Sequence, residues 1–278
     1  MDISSLNIAS AGVSLTLAVA LLAIRANRRT YAGFDLWVAG NACSAAALLL
    51  IANLGAIPTA LVVLGNTLVF LHLVLITAGL ERFFGLAPRW SLHGLGIAAI
   101  VGVYVQFTAI TPSVTVRIAA ICTLLAMWSW WAALLVAREA PRVLDRPNRL
   151  AAGVLGLYSL WNIGRVVVAL SGSDATNALD ANRRVQALFF AAYPALLALL
   201  TFSLAILYLQ RVERDLAAAA AEVKLLRGII PICASCKKIR EGDGWTPIES
   251  YLAQRSEAAF THGICPDCAR RLYPGLIG

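Results

Sequence analysis

Charge is what this chain has least of. Only 14% of its 278 residues are charged and 60% are hydrophobic, where a soluble domain holds about 25% and about 45–50%. That excludes an ordinary soluble enzyme and any disordered or fibrous class. Lysine is nearly missing, with Lys224, Lys237 and Lys238 all beyond the last long apolar run. A retinal protein needs a Schiff-base lysine in its last span, so that class is excluded too. Carboxylates are missing from the middle of every apolar run, and Asp35 and Glu81 stand only at run ends. Proton-coupled transport normally relies on such intramembrane acids. With three histidines in the whole chain, no pair stands at metal or haem spacing within the apolar part.

Long hydrophobic runs are what the chain has in abundance. A bilayer core needs about 20 mostly apolar residues per helix, and seven segments qualify: Ile8–Ile24, Phe34–Leu54, Thr59–Leu80, Leu92–Ile110, Val114–Ala137, Leu150–Leu170 and Val185–Leu209. Turn residues such as Gly55-Ala56-Ile57-Pro58 and Thr111-Pro112-Ser113 separate them. The first run follows Asp2 and has neither a basic flank nor a cleavage site, so it reads as a retained helix. Alternate loops hold Arg25, Arg28, Arg29, Arg82, Arg89, Arg138, Arg142, Arg146 and Arg149, whereas the opposite set holds only Arg183 and Arg184. The positive-inside rule therefore predicts an outside N-terminus and a cytoplasmic C-terminus. Most of the net charge of +8 is topological. From Arg211 onward ten basic residues face eight acidic ones, which is no signal for nucleic acid.

Polar side chains inside spans are costly and count as functional hypotheses. Gln106, Arg117, Asn162 and Arg165 all fall in the outer third of their spans, where they define a candidate pocket for a small anionic or polar ligand. His72, nearer mid-membrane, is the fifth candidate for that pocket. The competing reading has the arginines snorkelling to outer headgroups, the amides joining helices and His72 serving as a packed hydrogen-bonding group. Cys43 and Cys122 read as small apolar fillers.

After Leu209, residues Val212, Leu216, Ala219, Val223, Leu226 and Ile230 repeat with 4-3 spacing around the alanine run Ala217–Ala221. That pattern predicts a helical connector with a coiled-coil-like seam, punctuated by Gly228 and Pro231. It serves either as a parallel homodimer contact or as a rigid spacer.

The sharpest chemical signal is Cys233-Ala234-Ser235-Cys236 followed, 28 residues later, by Cys265-Pro266-Asp267-Cys268. Two CxxC pairs suit one tetrahedral Zn²⁺ held by Cys233, Cys236, Cys265 and Cys268. An iron–sulfur cluster and a redox-active pair are the rival readings; structural disulfides do not suit a reducing cytoplasm. Between the pairs, Lys238-Ile239-Arg240 and Gly242-Asp243-Gly244 predict a hairpin. Thr246-Pro247-Ile248-Glu249 predicts a helix capped by Thr246 and running to Gln254, and Pro266 opens a last helix over Ala269–Tyr273. His262 reads as a surface or supporting residue.

Two stretches carry resemblances. Gly79-Leu80-Glu81-Arg82-Phe83-Phe84-Gly85, with the seven-span layout, loosely resembles the multi-span sensor modules that precede diguanylate cyclase domains, although no cyclase, kinase or phosphodiesterase domain follows it here. Leu226–Arg240, Gly244-Trp245, Glu249-Ser250-Tyr251, Ser256, Phe260–Cys268 and Leu272-Tyr273-Pro274 resemble a C-terminal cysteine module of bacterial sensory proteins, found after PAS or receiver domains. The resemblance implies that the four cysteines are metal ligands and that the chain belongs to bacterial signalling.

The expected protein is an all-α membrane protein of the bacterial inner membrane: a seven-helix sensor-like bundle over residues 1–209, a helical connector over 210–229 and a cytoplasmic treble-clef or zinc-ribbon-like domain over 230–278. It is expected to be no enzyme, to work as a sensory adaptor through a cytoplasmic signalling protein, and to bind no nucleic acid. A transporter or membrane enzyme with a structural zinc tail is the alternative.

Overall fold

In a computed structural model of the chain, residues 3–52, 58–145, 147–171, 176–227, 230–254 and 261–273 are described. Seven long helices come first: α1 (Ile3–Asn27), α2 (Phe34–Ala52), α3 (Thr59–Phe83), α4 (Trp90–Val105), α5 (Val114–Leu144), α6 (Arg149–Ser171) and α7 (Thr176–Arg227). A π-helical turn, Gln106–Ile110, extends α4. All seven are long and apolar enough to cross a membrane. Beyond them lie a two-stranded antiparallel hairpin, β1 (Ile239–Glu241) and β2 (Gly244–Thr246), and the short helices α8 (Ile248–Ala253) and α9 (Pro266–Leu272). Met1–Asp215 and Leu216–Gly278 form two compact units. The first unit thus takes in the opening of the connector, Gln210–Asp215.

Helix ends follow local chemistry. The Ser113 hydroxyl accepts the Val116 N–H at the start of α5, and the Asn148 side-chain carbonyl accepts the Ala151 N–H at the start of α6. Asp145 ends α5 in the left-handed conformation at φ 58°. One expected cap is corrected. Pro247, not Thr246, stands before α8, because Thr246 pairs with Ile239 in the hairpin and its hydroxyl turns to Glu241.

Among the described residues the bundle has two large apolar centres and a small one around Ala11, Leu48 and Leu197. At the end bearing the arginine-rich loops, the basic end, Phe34, Trp37, Leu80, Phe83, Leu144, Leu155, Leu207 and Tyr208 close together. Farther along, Phe70, Ile100, Tyr104, Trp128, Tyr158 and Leu196 form the second. Large apolar residues such as Leu15, Leu95, Leu160, Val167 and Phe202 point outward, as expected where lipid replaces water. Two glycines bring α3 against the α1–α2 turn. Gly33 sits at φ +92°, and a Cβ on Gly79 would stand 2.5 Å from the Trp37 indole. Only glycine permits that approach.

Residues 53–57, Arg146, Gly228, Ser256, Phe260 and Pro274 lie outside the described residues, as do the side chains of Arg183, Arg184, Val223 and Leu226.

Candidate functional site

Among the pocket candidates, the structure joins some and separates others. Gln106 opens the π-helical turn and donates to the Thr111 hydroxyl at 3.3 Å. Arg117 donates to the Thr108 hydroxyl at 3.1 Å. Asn162, buried, donates to the Tyr158 carbonyl at 2.8 Å. The Arg165 guanidinium lies 5.2 Å from the Phe190 ring and 5.9 Å from Phe189, a cation–π arrangement. Arg117 and Arg165 both lie within electrostatic range of Tyr104, whose hydroxyl donates to Asn66 at 3.0 Å. His72 stands apart on the α2–α3 contact. Its Nδ1 faces the Gly40 carbonyl at 2.9 Å, and since a carbonyl only accepts, Nδ1 carries the proton. Among the described residues its buried Nε2 has no hydrogen-bond partner. A groove of about 480 Å³ between α5 and α6 is lined by residues including Thr123, Met127, Trp130, Leu160 and Ile163, and none of the five candidates lines it.

Other polar groups tie helix to helix. Thr201 donates to Asn41 at 3.1 Å, Ser14 and Ser44 share a hydrogen bond, and Ser159 donates to the Ala126 carbonyl at 2.9 Å. Each satisfies a group that lipid cannot.

Sequence reasoning missed one network, centred on Glu81. Its carboxylate and His93 are both buried. Trp128 Nε1 lies 3.1 Å from His93 Nδ1, and His93 Nε2 lies 3.1 Å from Glu81 Oε2. An indole N–H can only donate, so His93 Nδ1 accepts and Nε2 holds the proton it gives to Glu81. The Arg89 backbone N–H donates to the same carboxylate oxygen at 3.3 Å, and the Arg89 guanidinium approaches the other at 3.9 Å. His93 also stacks on Trp131 with 5.3 Å between rings. α3, α4 and α5 are therefore pinned at the basic end by one buried carboxylate. The available signal was an acid and a histidine flanking the short Phe84–Arg89 connection.

In the second unit both cysteine pairs are locally built. The Cys233 N–H donates to the Lys238 carbonyl at 2.8 Å and the Lys237 N–H donates to the Cys233 carbonyl at 3.0 Å, closing a tight knuckle. Lys237 takes the left-handed conformation at φ 58°, which costs an L-residue about 1–2 kcal/mol. Ile232 bridges to Ile239, which ties the knuckle to the hairpin. The backbone N–H groups of Cys236 and Ser235, with the Cys236 thiol, draw the Cys233 thiol below its ordinary pKa. The backbone N–H of Cys268, with its thiol, does the same for Cys265 at the start of α9. Cys236 and Cys265 are exposed, and all six cysteines of the chain are free thiols.

Paired thiols, with Cys233 and Cys265 drawn toward thiolate, are the donor set of a soft divalent cation. In that respect each pair fits zinc. The pairs remain separate, since no three His, Cys, Asp or Glu side chains gather at one point among the described residues. His262 is exposed. Compared with protein-family models, curated proteins and solved structures, the chain matched none.

Proposed function

We propose that this chain is an integral-membrane sensory relay of the bacterial inner membrane. Its bundle responds to a stimulus in the membrane or outside, and its cytoplasmic cysteine module passes the change to a protein partner. One observation carries the reading: α7 runs as a single helix from Thr176 to Arg227, through the last span and the alanine-rich connector. A stiff helix transmits a shift or rotation that a Gly/Ser linker would absorb. The arginine bias of the loops supports an outside N-terminus and a cytoplasmic tail.

Cys233, Cys236, Cys265 and Cys268 would hold Zn²⁺, which supplies a cross-link between knuckle and α9 when bound. The knuckle orients one pair and Pro266 sets the start of the helix that orients the other. The module acts as a docking element rather than an enzyme.

The test is affinity purification of the full chain, in membranes, with and without residues 230–278. A cytoplasmic protein lost on removal of the tail supports the relay; identical captured sets overturn it. Elemental analysis of the purified chain should find one zinc per chain. Iron with visible absorption would overturn the zinc assignment.

A further inference from the structure

We infer that the basic end of the bundle is a latch on α7, in which Arg211, Arg214 and Asp215 hold that helix in one rotational setting against two inter-helix connections and the end of α3. The Arg211 guanidinium lies 4.3 Å from the Tyr31 ring and 5.0 Å from the Phe83 ring. It also donates to the Phe83 carbonyl. Phe83 is the last residue of α3, so its carbonyl is among those left without a partner inside that helix. A cation there also opposes the negative end of the α3 dipole.

Tyr31, in the α1–α2 connection, makes a second contact. Its hydroxyl donates to Asp215 at 2.7 Å. Asp215 is four residues beyond Arg211 and shares its helix face, so one tyrosine engages two successive turns of α7. Tyr208, three residues before Arg211, donates to the Arg29 carbonyl at 3.3 Å. The neighbouring face of α7 is held by the α5–α6 connection. There Arg214 donates to Asp145 at 2.7 Å and Asn148 donates to Gln210 at 2.8 Å. Val212 packs against the apolar centre of the basic end.

These contacts are of unequal strength. Arg214 and Asp145 are 43% and 69% exposed, and a solvated pair of that kind contributes little. Arg211 sits between two rings with its hydrogen bond in a part-buried setting, where cation–π attraction is stronger. Rotating α7 by one residue, about 100°, would break all of them together. The latch therefore resists rotation mainly through Arg211 and is weak enough at its rim to open. Its use as a switch rests on the relay reading given above.

Hydrogen exchange of the full-length chain in lipid nanodiscs tests it. Arg211→Ala should speed exchange over residues 208–220 by about tenfold, with α2 and α3 unchanged. Tyr31→Phe keeps the ring and loses the Asp215 bond, and should speed the same segment by about threefold. Asp145→Asn should change it by less than about twofold. If Arg211→Ala and Tyr31→Phe both leave the segment at the wild-type rate, or if exchange rises equally in all seven helices, the latch is overturned. A loosened α7 with unchanged partner capture by the tail keeps the latch and overturns the relay.

Discussion

The bundle and the cysteine tail are built on opposite terms. In the bundle, dozens of side chains are buried in two large apolar centres, and its intramembrane polar groups mostly find partners on other helices or on their own preceding turn. In the second unit, Ile239 is the one buried apolar side chain among the described residues, while Ile232, Trp245, Ile264, Leu272 and Tyr273 are all exposed. A hairpin of three residues per strand and two short helices cannot bury enough surface to offset the entropy of ordering them. The bundle is held by area, whereas the tail needs a cross-link.

The most direct way to break that contrast is to remove the zinc cross-link proposed above. Structural zinc contributes about 10–16 kcal/mol to small fingers. Cys236→Ser or Cys268→Ser should therefore release the metal and expose residues 230–273 to protease, with no change in the unfolding of the bundle. Zinc content and limited proteolysis read the outcome.

Within the bundle, the sharpest expected loss comes from Glu81. Glu81→Leu leaves the Arg89 and His93 N–H groups without their acceptor inside the protein, and a buried donor left unsatisfied costs about 1–3 kcal/mol. Glu81→Gln keeps an acceptor oxygen and should lose less. Thermal unfolding in detergent separates the two. Equal losses would mean that the carboxylate charge, which both variants remove, carries the contribution and that the acceptor oxygen kept by Gln adds nothing.

At the rim of the basic end the effects shrink. Arg214→Ala should cost about 0–1 kcal/mol because the pair is solvated, measured in the same unfolding assay. The smallest effect is confined to alkaline pH. Burial, then the bond to Asp215, pushes the Tyr31 phenol up to about 12, with Arg211 opposing and Tyr208 adding to the rise. Because the folded value is raised, the neutral phenol's contribution is complete below the ordinary value of 10.0 and is lost as pH climbs through about 12. The wild-type chain should show this alkaline loss of stability and Tyr31→Phe should not.

Legibility in the sequence followed how local each feature is. The seven helices were readable because spanning a bilayer is a one-dimensional requirement of length and apolarity. All seven expected starts fall within three residues of the observed spans, and the helices generally run past the expected polar ends, as α5 does to Leu144. The hairpin was readable from Gly242-Asp243-Gly244. The Thr246 cap failed because two local rules competed for one residue and strand pairing prevailed. The 4-3 seam was legible as a pattern, but Val212, its first position, turned out to face the bundle. Leu216, its second, is exposed.

Amino-acid composition and spacing alone determined that there are seven apolar helices, where the arginines cluster, and that four cysteines form two pairs, because each depends only on neighbours along the chain. Which polar groups meet was decided by tertiary structure. Glu81 reaches His93 and His93 reaches Trp128 across three helices; Arg211 reaches Tyr31 and Phe83 from more than a hundred residues away. The azimuth of each helix selects those partners, and that azimuth is set by the packing of all the helices at once, as where Gly33 and Gly79 let α3 close on Trp37.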